Sequence, residues 1–342
     1  MIISILQNLT GFSARWVLST VTPIALLALM AASTGHATSP NSPKSVPAQA
    51  DPLKIVVSIK PLALIAAAIT DGISEPELLL PPGTSPHNYS LRPSDIRKLT
   101  SANLVFWIGG DMESFLVKVL NRHVEKSHSI PLMEAPDIRV EGSQYTGDHD
   151  HSSDHNHGSH DPHIWLNPEN AITIARTMTQ AITQRDKTNT DKYQKNLNKF
   201  IDQVRATDQA NKSILQDYQQ RGFFVFHDAW GYFANYYGLN IINNFTVNPE
   251  QAPGARHMVE LRNELANAGK TCLFREPQFQ PAYLKTMINN LDVRVDILDP
   301  LASNIKTSPD AYPRFLGKLA TTIRNCLSAS SDKPGNKTLV RQ

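Results

Sequence analysis

Cysteine is scarce: 342 residues contain two, Cys272 and Cys326. One pair cannot build a cysteine-rich zinc module or a disulfide-dense scaffold. An excess of either charge is missing as well. The 33 Lys and Arg nearly match the 31 Asp and Glu, for a formal net charge of +2. That balance gives no reason to expect nucleic acid or a strongly anionic surface as partner. No His-Glu-x-x-His stretch occurs, which removes a familiar zinc-hydrolase pattern. Past the first forty residues no run is apolar and long enough to span a bilayer.

The apolar content is 41% and the charged content 19%, values of a globular chain, and the length suggests two domains. The N-terminus stands apart. Arg15 precedes a mostly apolar stretch from Trp16 to Met30, and small residues follow, ending in Gly35-His36-Ala37. A basic start, an apolar core and a small-x-small end describe a secretory signal peptide over residues 1–37. A membrane anchor would need an unbroken apolar run, and Ser19, Thr20 and Thr22 interrupt this one. The expected location is therefore a bacterial periplasm. No cysteine lies near the leader to carry a lipid, so the mature protein is expected to be soluble there. In that oxidising compartment Cys272 and Cys326 are expected to pair as a disulfide, the alternative being two free or zinc-binding thiols.

Residues 38–52 are rich in Pro, Ser and Ala and read as a disordered leader. A rhythm of strands and helices follows. Lys54 to Ile59, Glu77 to Leu80 and Leu104 to Ile108 read as strands. Leu62 to Thr70, the segment opened by Pro93, and the stripe of Phe115, Leu116, Val119 and Leu120 read as helices. This N-terminal α/β lobe closes near residue 166. Within it, residues 141–162 are Asp, His, Ser and Gly with almost nothing apolar, the composition of a mobile loop. Residues 167–221 read as connecting helices. Asn167-Pro168-Glu169 is a strong start, with an Asn cap, Pro at the first helical position and an acid near the positive dipole end. A second helix from about Asp191 to Gln219 carries Tyr193, Leu197, Ile201 and Val204 on one face, then a polar gap, then Leu215 and Tyr218. It would span about 45 Å. Residues 222–328 repeat the α/β rhythm as a C-terminal lobe, starting at Phe223–Phe226, and residues 329–342 read as a flexible tail. The fold class is therefore α/β. Two lobes with parallel sheets flanked by helices are joined by a long rigid helix, and a ligand is expected in the cleft between them, beyond the strand ends.

Chemistry concentrates in histidine, of which there are 12. His87 lies in the proline-stiffened run Pro81-Pro82-Gly83-Thr84-Ser85-Pro86-His87-Asn88-Tyr89. His163 ends the acidic loop in Asp161-Pro162-His163-Ile164-Trp165, and His227 directly follows the Phe223–Phe226 strand. All three fall at strand edges or loop mouths, where they could face the cleft between the lobes as a shared metal site. Three imidazoles with a fourth position left over make a common zinc arrangement. A lone histidine is more often a structural hydrogen-bonder, and these three are far apart in sequence, so spacing alone proves little.

Longer segments carry a resemblance. They are Pro81 to Asp95, His163-Ile164-Trp165-Leu166-Asn167-Pro168-Glu169, Phe224 to Phe233, Phe245-Thr246-Val247-Asn248-Pro249-Glu250, Glu276-Pro277-Gln278-Phe279 and Leu298-Asp299-Pro300-Leu301. In combination, from about Leu53 to Leu327, the chain resembles the substrate-binding proteins of bacterial high-affinity zinc uptake systems. These are metal-binding solute receptors of ABC transporters. The resemblance implies that His87, His163 and His227 are zinc ligands. It also implies an acidic His-rich insertion before His163 and a Cys272–Cys326 bridge. Some relatives place a glutamate just before the first histidine, where this chain has Pro86. Asp299 matches the carboxylate position of manganese-type relatives and is the leading fourth ligand, with Glu276 and water as alternatives. An Asp after a strand is also a common turn former or helix cap.

The implied function is capture of Zn(II) in the periplasm and delivery to an inner-membrane ABC permease. Zinc is then a transported ligand, the protein is a monomer, and no reaction is catalysed. Imidazole suits zinc, whereas manganese favours oxygen. His149, His151, His155, His157 and His160, interleaved with acids, read as an auxiliary weak metal-binding loop, or else as a solvated linker. Two rivals remain open at this point: a three-His zinc hydrolase and a surface adhesin on the same fold.

Overall fold

The computed structural model describes residues 52–142, 160–247 and 249–330. The expected signal peptide, most of the leader and nearly all of the tail lie outside the described residues, as do His149, His151, His155 and His157. No helix of the described residues is long and apolar enough to cross a membrane.

The first sheet is built from β1 (Ile55–Val57), β2 (Glu77–Leu78), β3 (Leu104–Trp107) and β4 (Ser129–Pro131), in the order β2-β1-β3-β4, all parallel. Helices α1 (Lys60–Ile69), α2 (Pro93–Ser101) and α3 (Ser114–His123) alternate with its strands. Every residue of β1 and β3 is buried, as expected of short apolar strands covered on both faces. Prolines sit in the first turns of α1 and α2, where a missing N–H costs nothing.

Two helices lead to the second sheet. α4 (Pro168–Arg185) starts as its sequence requires: Asn167 Oδ1 accepts from the N–H groups of Glu169 and Asn170 at 2.9 and 3.3 Å. α5 (Thr190–Leu215) has 26 residues, about 39 Å at 1.5 Å per residue. It is shorter than the sequence suggests because Gln216–Tyr218 tightens into a 3-10 turn. The polar gap in its stripe is also buried. Asn211 Nδ2 donates to Tyr237 Oη at 3.2 Å and to the Leu316 carbonyl at 3.3 Å, so the interruption is a satisfied polar contact within the core.

The second sheet has β5 (Gly222–His227), β6 (Asn240–Thr246), β7 (Thr271–Arg275) and β8 (Val293–Ile297), in the order β6-β5-β7-β8, again parallel. Helices α6 (Gly231–Tyr237), α7 (Ala255–Ala268), α8 (Tyr283–Met287) and α9 (Ala311–Ala329) complete it. Alternation along β5 is visible in its packing. Phe223 and Val225 join the large core shared with α5 and α9, while Phe224 and Phe226 join a smaller core with Leu261, Leu265 and Leu284. α5 packs against α1 and α4 and against α9, so one helix ties the two sheets together. Cys272 of β7 and Cys326 of α9 form a disulfide with Cα atoms 6.1 Å apart. Three elements escape a reading of the sequence. β4 has three half-buried residues, α6 only seven residues, and β6 three asparagines, a residue depleted in strands.

Candidate metal centre

Each histidine of interest is delivered by a different piece of this framework. His87 lies in the loop between β2 and α2. Gly83 turns that loop with φ +80°, a conformation open to glycine. The loop is tied down beyond His87, where Tyr89 Oη donates to Asp95 Oδ2 at 2.9 Å and the Tyr89 ring packs against Phe115. His163 precedes a buried 3-10 turn, Ile164–Leu166, just before α4. Trp165 of that turn donates to the Pro300 carbonyl at 2.8 Å and accepts at its own carbonyl from Tyr312 at 2.6 Å. His227 is the last residue of β5, next to β7, at the carboxyl ends of the strands where the sheet order reverses.

The three imidazoles converge. Ring centroids are 5.5 Å apart for His87 and His163, 5.2 Å for His87 and His227, and 5.0 Å for His163 and His227. One ligating atom from each lies within 4.8 Å of the others, and among the described residues no other group of acids, histidines or cysteines meets that test. They line a cavity of ≈ 20 Å³, room for about one ion, with Trp165, Phe279 and Leu301 on its walls. His163 and His227 are buried.

Burial shapes the electrostatics. It lowers the His87 pKa to about 3, with the neighbouring His163 adding to the effect. It also lowers the His227 pKa, helped by His163 and His87. His87 and His227 therefore stay neutral, the form that donates a lone pair to a metal. Glu276, the residue after β7, faces the same cavity. Its carboxyl is buried, its Oε1 lies 3.7 Å from His227 Nδ1, and neither oxygen has a hydrogen-bond partner. Burial pushes its pKa up to about 8, with Asp299 adding to the effect. His227 Nε2 is likewise buried without a partner. A cavity where three imidazoles converge, two of them held neutral, can accept a divalent cation that gives His227 Nε2 a partner.

Asp299 sits elsewhere. Its Oδ1 accepts from Leu301 N at 3.0 Å and Gln278 Nε2 at 3.2 Å, and its Oδ2 from Ser303 N at 2.6 Å. It forms the turn after β8 and is not part of the three-histidine group. His160 is exposed, with Nδ1 3.7 Å from Asp111 Oδ2, outside that group as well. A further polar contact at the site passes unnoticed in the sequence: Asp161 Oδ1 lies 2.7 Å from His163 Nδ1. A carboxylate two residues before a candidate ligand was the available signal.

The family of periplasmic zinc-uptake complex component A, ZnuA, matches residues 55–326. The chain belongs to the ZnuA family. A high-affinity zinc uptake system protein ZnuA from Yersinia pestis is 39% identical over 289 residues, covering 80% of this chain and 91% of that protein. One from Haemophilus ducreyi is 38% identical, covering 80% and 93%. In three dimensions a ZnuA crystal structure matches with a TM-score of 0.68 at 27% identity, covering 81% of this chain and all of the other. A ZnuA deletion mutant with zinc bound matches with the same TM-score at 26% identity, covering 83% of this chain. The ZnuA match spans both sheets and all three histidines of the cavity.

Proposed function

We propose that this protein captures Zn(II) in the periplasm through His87, His163 and His227 and hands it to an inner-membrane ABC permease. The observation that carries the reading is the convergence of three ligating atoms within 4.8 Å in one cavity. His87 and His227, kept neutral by burial, require no deprotonation before binding, and nitrogen donors favour zinc over manganese. The fourth position falls to water or to Glu276, whose carboxyl is already at the cavity. Asp299, with both oxygens engaged, supports the site from behind by holding Gln278. The protein acts as a soluble monomer, exported by its leader, and performs no chemistry on its cargo. His149, His151, His155, His157 and His160 supply weaker sites for additional zinc.

Chelator competition on the single variants His87→Ala, His163→Ala and His227→Ala tests the ligand set. Each should lose most of the tight binding of one zinc per chain. Unchanged tight affinity in any one of them removes that residue from the set.

A further inference from the structure

The segment that delivers His163 is stitched to α6, the helix that follows His227. Tyr232 Oη of α6 donates to the Asp161 carbonyl at 2.9 Å and accepts from Glu141 N–H at 2.8 Å. Asn235 Nδ2, one turn on, donates to Glu141 Oε2 at 2.7 Å. Asp161 N–H in turn donates to the Glu141 carbonyl at 2.9 Å. The main chain of Asp161 is thus held from α6, while its side chain turns to His163. Oδ1 accepts from His163 N–H at 3.0 Å and lies 2.7 Å from Nδ1. The fit is close on the α6 side too: a Cβ added to Gly231 would come within 3.1 Å of Asp161 Oδ2.

We propose that Asp161 is a positioning residue for metal capture, fixing the His163 imidazole as its Nδ1–H tautomer so that Nε2 alone is offered to the cation. The chemistry is direct. A carboxylate oxygen only accepts, so the nitrogen facing it must carry the hydrogen, and the other nitrogen keeps its lone pair. An oriented, polarised imidazole is a better ligand than a free one, and loss of such a partner typically lowers metal affinity about 10–100-fold. Because Tyr232 follows His227 by five residues, the same chain of bonds also keeps His163 in place relative to His227.

The inference rests on His163 being a zinc ligand, and the experiment separates the two. Zinc affinity is measured by chelator competition for the parent protein, Asp161→Asn, Asp161→Ala and His163→Ala, with folding checked by thermal melting. Nitrogen-15 NMR of the zinc-free protein reads the His163 tautomer. Asp161→Asn retains an acceptor oxygen and should lose about 10-fold in affinity with the tautomer largely kept. Asp161→Ala should lose up to about 100-fold and mix the tautomers. If His163→Ala abolishes tight binding while both Asp161 variants match the parent in affinity and tautomer, the positioning role is wrong. If His163→Ala itself binds zinc as the parent does, the ligand reading fails first and the positioning role with it. A fall in affinity for Asp161→Ala with the Nδ1–H tautomer intact would also overturn the proposal, since a merely structural contact would give that result.

Discussion

Glu113 permits a test of how burial sets the electrostatics at the mouth of the first sheet. Its carboxyl is fully buried just after β3. Oε2 accepts from the N–H groups of Ile108 and Gly109 at 2.9 and 3.1 Å, while Oε1 has no bonded partner. Burial pushes its pKa up to about 7 from 4.5, although Ser58 and those two N–H groups favour the charged form. Below pH 4.5 folded and unfolded chains both hold this proton, and the group is neutral toward stability. As the pH rises from there to about 7, the unfolded chain releases the proton first and stability falls, and above 7 the loss is complete. The full loss is about 3 kcal/mol, of which about 2 kcal/mol accrues between pH 5 and 7.5. Glu113→Gln keeps an acceptor for the two N–H groups and removes the titration. Urea unfolding of the zinc-free protein, followed by tryptophan fluorescence in the presence of a chelator, gives both stabilities at each pH. The variant should gain about 2 kcal/mol relative to the parent on going from pH 5 to 7.5. Parallel stability curves for the two proteins would refute the assignment of a buried, proton-holding Glu113.

Removing the disulfide with Cys272→Ala and Cys326→Ala frees a loop of 54 residues, worth up to about 4 kcal/mol and a fall of roughly 10 °C in Tm. Calorimetry that finds the double variant as stable as the oxidised parent would contradict this. Deleting residues 143–159 should leave the fold and tight site intact and lower the total zinc bound. Gly142 and His160 pair across the ends of that segment, so its removal joins residues that are already neighbours. Equilibrium dialysis showing undiminished total zinc, or a deletion variant that does not fold, would rule out this role. Zinc should change the relation of the two sheets only modestly, because α5 bridges them and the Trp165 bonds to Pro300 and Tyr312 cross between them in the core. X-ray scattering showing a large contraction on zinc addition would contradict that.

Local order was legible wherever a side-chain pattern acts over a few residues. Asn167-Pro168-Glu169 caps α4 because an amide oxygen, a ring without an N–H and an acid each meet a need of a helix start. The short apolar runs of β1, β3 and β5 read as covered strands, and their alternation with helices implied parallel sheets. β6 hid because its asparagines oppose strand propensity, and its place was decided by pairing with β5. The long range belongs to the tertiary structure. His87, His163 and His227 lie on separate elements, and no spacing rule connects them; they meet because two sheets and one turn end at the same cavity. Asp299 and Glu276 differ in environment, which their sequence context does not reveal. Both are acids just beyond a strand, yet one carboxylate is engaged by the N–H groups of its own turn, while the other is buried at the cavity beside His227. Residue type and local pattern set what each side chain can do. Which ones act together depends on burial and convergence, and those exist only once distant segments have packed.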